Sequence, residues 1–280
     1  MEQASAVLFW FALALYIGAT VLYAYQFVLR RSKVGWWARF LTGAGFICQT
    51  ASIGVHSVAT HGTQLTGANQ LTLASWALVL LYFVMEHLIR IKVYGTFLVP
   101  VAVIFMAAAQ IVGGLGGQAH LTAVQLGQLD DWRVAFHVAL IVFANAGFAF
   151  GAVASALYLY QEAQLKSRKS SVITRRLPSL STLQTMARRA IAFSFPIYTA
   201  GLLLGIIRAI EVHVSAWWFD PRIMMSGVVL ATFGVYLTLV YRREATSRTT
   251  SRVAIVGFAF VVILAIIART VTGGFHVFGL

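Results

Sequence analysis

Long apolar runs, each of about twenty residues or more, alternate with short polar breaks along the whole chain. A helix gains about 1.5 Å per residue and needs about 20 residues to cross ~30 Å of hydrocarbon. The runs therefore predict spanning helices at 5–29, 35–58, 71–91, 94–113, 133–160, 188–211, 222–241 and 253–272. Strands of a membrane barrel would alternate apolar and polar positions, and these runs do not. The expected fold is all-α: a polytopic bundle of about eight transmembrane helices, forming one membrane domain over residues 1–280. The first run is too long, and too bare of basic residues before it, to read as a cleaved signal.

Composition supports the pattern, with 60% hydrophobic and only 10% charged residues. In a soluble domain about a quarter of residues are charged. The placement of the cations adds direction. Seventeen of the twenty-one Lys and Arg residues fall in the breaks after spans one, three, five and seven. Arg133, Arg208, Arg222 and Arg269 fall on the other side. Basic residues near span ends stay in the cytoplasm, which puts both termini outside. The net charge of +13 then follows from membrane orientation, and no nucleic-acid partner is expected. The linker at about 163–187, rich in Lys, Arg and Ser, suits contact with anionic lipid of the inner leaflet.

With that orientation six of the seven histidines, His56, His61, His120, His137, His213 and His276, lie at or near the outer surface, and only His87 lies inside. Imidazoles tolerate the interface, which is one reading; a polar cofactor site is the other. Between spans six and seven stands a tryptophan-rich outer loop at about 212–222, containing Trp217-Trp218-Phe219-Asp220-Pro221-Arg222. A tryptophan pair at headgroup level can be a plain anchor. An anchor does not require the acid, proline and arginine that follow, nor the Glu211 and His213 that precede. Flat aromatic surface beside imidazoles suits a haem platform. Arg208 and Arg269 stand about a turn inside the outer ends of their spans; they snorkel to headgroups or meet a haem propionate, with Asp220 and Glu211 available to orient them.

Catalytic signatures are missing from the chain: it has no phosphate loop, nucleophile elbow or HExxH motif, and its single cysteine, Cys48, offers neither a disulfide nor a thiol relay. No self-contained active site is expected. Gly147/Gly151 and Gly201/Gly205 have the small-xxx-small spacing that lets helices approach closely.

The loop resembles the tryptophan-rich outer segment, WGxxWxWDPK, of the haem-handling cytochrome c assembly proteins, a family that includes CcsA, CcmC and a smaller HemX-like branch. Trp217, Asp220 and Pro221 match in register, Arg222 stands for the lysine and Phe219 for the last tryptophan. Trp132–Val138 resembles the family's first outer histidine, here His137, at the head of a span; Gly273–Gly279 resembles its second, here His276. The stretch Arg176–Leu180 and the chain length resemble the HemX-like branch.

The resemblance implies a haem-binding protein that holds, transports or presents haem b at the outer face of a bacterial or organellar inner membrane. His137 and His276 would ligate iron, Trp217 and Trp218 would stack on the porphyrin, and Asp220, Pro221, Arg208, Arg222 and Arg269 would complete the site. Implied partners are haem, apocytochrome c and a thiol-redox or CcsB-like membrane protein, as in a cytochrome c haem lyase system. Two alternatives are a HemX-like regulator of haem synthesis acting on glutamyl-tRNA reductase, and a haem-bearing or structural subunit of a respiratory complex. His56 corresponds to the family's histidine in an early span. Its later span partner is replaced by Tyr236-Leu237-Thr238-Leu239-Val240-Tyr241-Arg242, which weakens the case for a second haem within the bilayer.

The orientation is checked with reporter fusions. Alkaline phosphatase fused at Gly117 should be active and at Ser171 inactive; the reverse pattern would refute outside termini.

Overall fold

The computed structural model describes residues 1–29, 32–59, 67–89, 95–115, 132–167, 177–211, 213, 217–242 and 245–270. Among them are eight α-helices: α1 (Glu2–Leu29), α2 (Ser32–Ala59), α3 (Gly67–Ile89), α4 (Gly95–Leu115), α5 (Trp132–Lys166), α6 (Leu180–Glu211), α7 (Pro221–Arg242) and α8 (Ser247–Thr270). A single 3-10 turn, Trp217–Phe219, precedes α7. Five helices, α1 and α5 to α8, are long and apolar enough to cross a membrane; α3 and α4 carry shorter apolar stretches, Leu71–His87 and Gly95–Ile111. The chain is an all-helical, multi-pass membrane protein.

The helices overrun the apolar windows. Helix α6 begins at Leu180 and α8 at Ser247, ahead of the expected 188 and 253, because local capping starts them outside the apolar stretch. Ser179 Oγ accepts the Thr182 amide at 3.2 Å, and Thr246 Oγ1 accepts that of Thr249 at 3.3 Å. Each satisfies an amide that the first turn would otherwise leave unpaired. The stretch read as a linker at 163–187 is accordingly helical at both its ends, and of its middle residues 168–176 lie outside the described set.

The chain divides into two compact units, Met1–Thr122 and Ala123–Leu280. In the first, α1 buries one stripe, Ser5, Phe9, Ala12, Leu13, Tyr16, Ala19 and Tyr23, at the three- and four-residue spacing of a helix face. Its other faces expose Trp10, Phe11, Ile17 and Val21, as a lipid-facing helix can. Several polar side chains inside this unit are paired: Tyr16 Oη donates to Gln49 Oε1 at 2.8 Å, and Gln49 Nε2 donates to the Thr72 carbonyl at 3.0 Å. Ser5 and Ser52 exchange hydroxyl-to-carbonyl bonds of 3.1 and 2.9 Å. At the opposite end Tyr23, Tyr82 and Glu86 form a hydrogen-bonded chain, with Tyr23 Oη 2.6 Å from Tyr82 Oη, Tyr82 Oη donating to Glu86 Oε2 at 2.5 Å, and Arg39 3.4 Å from Glu86. Where no water competes, such pairing avoids the several kcal/mol an unsatisfied group costs.

In the second unit α5 and α6 lie side by side along a seam of glycines. A Cβ on Gly147 would overlap Ser194 Oγ; on Gly151 it would fall 2.6 Å from Ile191 Cγ1; on Gly201, 3.0 Å from Ile141 Cδ1; on Gly205, 2.8 Å from His137 Cε1. Both small-residue pairs noticed in the sequence therefore face this seam. Behind it Phe148, Ile191, Tyr198, Val229, Phe233, Tyr236 and Ala254 form the core, with the rings of Phe148 and Phe233 stacked at 3.8 Å. Gly257 of α8 leaves the space that the Phe233 ring fills.

Gly151→Leu should lower stability by about 1–3 kcal/mol through overpacking, whereas Gly227→Leu should do little, because nothing lies within 4 Å of a Cβ at Gly227. Unfolding of purified protein in mixed detergent compares them; equal stability of the two variants would refute the seam.

Candidate haem site

At one end of the second unit α5 begins and α6 ends, and the residues there form an ion-paired cluster. Arg133 Nη1 lies 2.6 Å from both carboxylate oxygens of Glu211, and Arg208 Nη1 lies 3.5 Å from Glu211 Oε2. Two guanidiniums thus share one carboxylate and leave a net positive charge. The spacing is that of helix geometry: Arg208 and Glu211 are three apart on α6, hence neighbours on its surface.

One turn along α5 from Arg133 stands His137. Its Nδ1 is 2.6 Å from the carbonyl oxygen of Gly201, and its ring lies over Gly205. A carbonyl can only accept, so Nδ1 carries the proton and Nε2 is the basic nitrogen. Backbone-oriented imidazoles of this kind hold the tautomer and ring direction that iron requires. Only glycine at 205 leaves the ring this room.

Beyond Glu211 the chain turns. His213 has φ of 54°, and its amide donates to the Ile210 carbonyl at 3.0 Å, a left-handed residue closing the helix where glycine is usual. Trp217–Phe219 then forms the 3-10 turn, which packs on α6 and α7. Trp217 and Trp218 meet edge to face at 5.7 Å. Trp218 is 55% exposed and Phe219 70%, so much of the aromatic surface faces outward.

Asp220, only 8% exposed, caps α7. Its Oδ1 accepts the Arg222 amide at 2.8 Å, its own amide donates to the Trp217 carbonyl at 3.1 Å, and its carbonyl receives the Met224 amide at 3.0 Å. Pro221 occupies the first helical position, where a missing N–H costs nothing. The Asp-Pro pair of the motif is thus a helix start that holds the aromatic turn against a span.

The candidate residues divide as follows. His137, Arg208, Trp217, Trp218, Asp220, Pro221 and Arg222 all belong to this end of the second unit. Glu211 does engage Arg208, as expected, but its closest partner is Arg133, which was expected only as one of the four outer arginines. Asp220 was expected to orient an arginine side chain; it interacts with the Arg222 charge, and its Oδ1 also accepts the Arg222 backbone amide. Neither pairing shows in the sequence, since Arg133 and Glu211 are 78 residues apart and a cap looks like any loop acid until the helix start is known. His56 sits in the first unit, 3.2 Å from Asn69 Nδ2. The Arg269 side chain and all of His276 lie outside the described residues, as do His61 and His120. Among the described residues no three of His, Cys, Asp and Glu converge as ligands of a bare metal ion would; haem iron requires fewer side chains, and an imidazole with a defined basic nitrogen beside arginines and aromatic surface fits it.

Residues 65–276 match the family model described as Cytochrome C assembly protein. The chain belongs to that family. It is 25% identical to Protein HemX of Bacillus subtilis over 83% of each chain, and 32% identical to Protein HemX of Brevibacillus brevis over 45% of this chain and 47% of that one. It is also 22% identical to the cytochrome c biogenesis protein CcsA of Mesostigma viride over 73% of each chain. The family expected from the tryptophan-rich loop is therefore the one found, and the match reaches both HemX and CcsA branches.

Asp220→Ala should cost α7 about 1 kcal/mol, and Asp220→Asn should recover most of it, because an amide oxygen still accepts the Arg222 N–H. Hydrogen exchange at the start of α7 measures this; equal protection in the two variants would refute the cap.

Proposed function

We propose that this protein holds haem at the outer face of a bacterial or organellar inner membrane and presents it for cytochrome c assembly. In this reading it crosses the membrane eight times with both termini outside. The observation that supports the proposal is the 2.6 Å contact of His137 Nδ1 with the Gly201 carbonyl, which makes Nε2 the basic nitrogen that would meet iron. His137 and His276 would hold haem b, in transit or resident, and the bound haem would supply an iron centre that accepts imidazole nitrogen. The Trp217–Phe219 turn lays aromatic surface on the porphyrin. Arg133 joins Arg208, Arg222 and Arg269 as a partner for propionates, and Glu211 holds Arg133 and Arg208 in place until an anion arrives. The thioether bonds would draw on the reduced cysteines of apocytochrome c and on a thiol-redox or CcsB-like partner.

A second reading has its own support, the 25% identity to Protein HemX across most of both chains. There the cytoplasmic breaks would act on haem synthesis, with the outer site sensing haem. Affinity capture of the intact membrane protein separates the two: apocytochrome or a thiol oxidoreductase favours assembly, glutamyl-tRNA reductase favours regulation.

Protein purified under haem-replete conditions should show a low-spin spectrum with a sharp reduced alpha band. His137→Ala should turn it high-spin or empty the site, and added imidazole should partly restore it. Trp217→Ala should loosen haem without changing spin state, and His56→Ala should matter less than His137→Ala. A wild-type protein with no Soret band that binds no added hemin would refute the haem site.

A further inference from the structure

At the other end of the second unit α5 finishes beside the start of α8, and a cleft of about 100 Å³ opens between them. That is several times the ~10–15 Å³ that one water needs. Its walls are Leu159, Glu162, Ala163, Lys166, Arg248 and Arg252. Three cations therefore face one carboxylate. Lys166 Nζ is 2.7 Å from Glu162 Oε1, while Arg248 Nε reaches only to 3.9 Å from Oε2, the outer limit of an ion pair.

Placement of the arginines sharpens the imbalance. Arg248 stands in the first turn of α8 and Arg252 one turn on. Amide dipoles make that end of a helix positive, so a cation there is unfavourable, and like charges four apart repel each other further. Glu162, beyond the apolar part of α5, is held below the usual carboxylate range, first by the Lys166 hydrogen bond and further by the charges of Lys166, Arg248 and Arg252, against the opposing effect of desolvation. It is already fully ionised and has no more charge to give. Among the described residues two positive charges remain uncompensated, on side chains that are themselves accessible, Arg248 being 53% exposed. Both helices reach this cleft from apolar stretches, so it stands at headgroup depth.

We propose that the cleft binds a phosphate group, that of an acidic lipid headgroup, through Arg248, Arg252 and Lys166. Glu162 competes for the same cations and moves aside when the phosphate enters. The site clamps α5 to α8 across the end of the bundle remote from His137, and it stands or falls independently of the haem reading.

Native mass spectrometry of the full chain in detergent tests it, with phosphatidylglycerol, phosphatidylcholine and inorganic phosphate as probes. Phosphatidylglycerol should be retained roughly tenfold more tightly than phosphatidylcholine, and Arg248→Gln with Arg252→Gln should abolish the difference. Glu162→Gln should tighten phosphatidylglycerol by removing the competitor. Circular dichroism controls for folding, and the exposed Lys166→Gln, expected to weaken binding in part, replaces the double variant if that one unfolds. Displacement of the lipid by an equal concentration of inorganic phosphate would overturn the lipid assignment in favour of a soluble phosphate. Equal retention of the two lipids, or substitutions without effect on phosphatidylglycerol, would overturn the site.

Discussion

The close approach of α5 and α6 is the constraint on which the second unit depends. Within a bilayer, lipid is as apolar as leucine, so helices gain little from hiding apolar side chains from each other. What remains is contact distance, and Gly147, Gly151, Gly201 and Gly205 shorten it. The same approach has a chemical result. It brings the Gly201 carbonyl to 2.6 Å from His137 and leaves the space over Gly205 that the ring occupies. Helix packing and imidazole orientation are thus one feature, and a side chain at either glycine would disturb both.

The charged clusters described in the second unit sit where the chain ends its spans. One end of the second unit holds Arg133, Arg208 and Glu211; the other holds Glu162, Lys166, Arg248 and Arg252. In each cluster a single carboxylate is shared among more than one cation. Exposed pairs of this kind contribute little to stability, about 0–1 kcal/mol. Their consequence is positional: long flexible cations are held together, and the excess positive charge is available to an anion. The proposed ligands differ accordingly, propionates beside an aromatic turn at one end and a headgroup phosphate at the other.

Family membership and geometry bear on different questions. Similarity to HemX and CcsA proteins establishes relationship across most of the chain. The structure contributes residues: Arg133 as a member of the cluster with Arg208 and Glu211, and Asp220 and Pro221 as the start of α7. Asp220 caps that start, so substitutions there act on the position of Trp217 and Trp218 as well as on the charge beside Arg222.

Much was determined by the sequence alone. Helical membrane architecture follows from runs of about twenty apolar residues, since hydrocarbon leaves backbone groups no partners but one another. The family could be read from Trp217, Asp220 and Pro221 together with His137 and His276. Helix starts at Leu180 and Ser247 were missed, because a hydropathy window sees the bilayer and not the Ser179 and Thr246 caps outside it. The partners of His137 and Glu211 were decided only by tertiary structure. Gly201 lies 64 residues from His137 and Arg133 lies 78 from Glu211, and nothing local specifies which carbonyl or carboxylate an antiparallel neighbour will deliver. That depends on helix register, and register is set by which glycines meet which side chains across the seam.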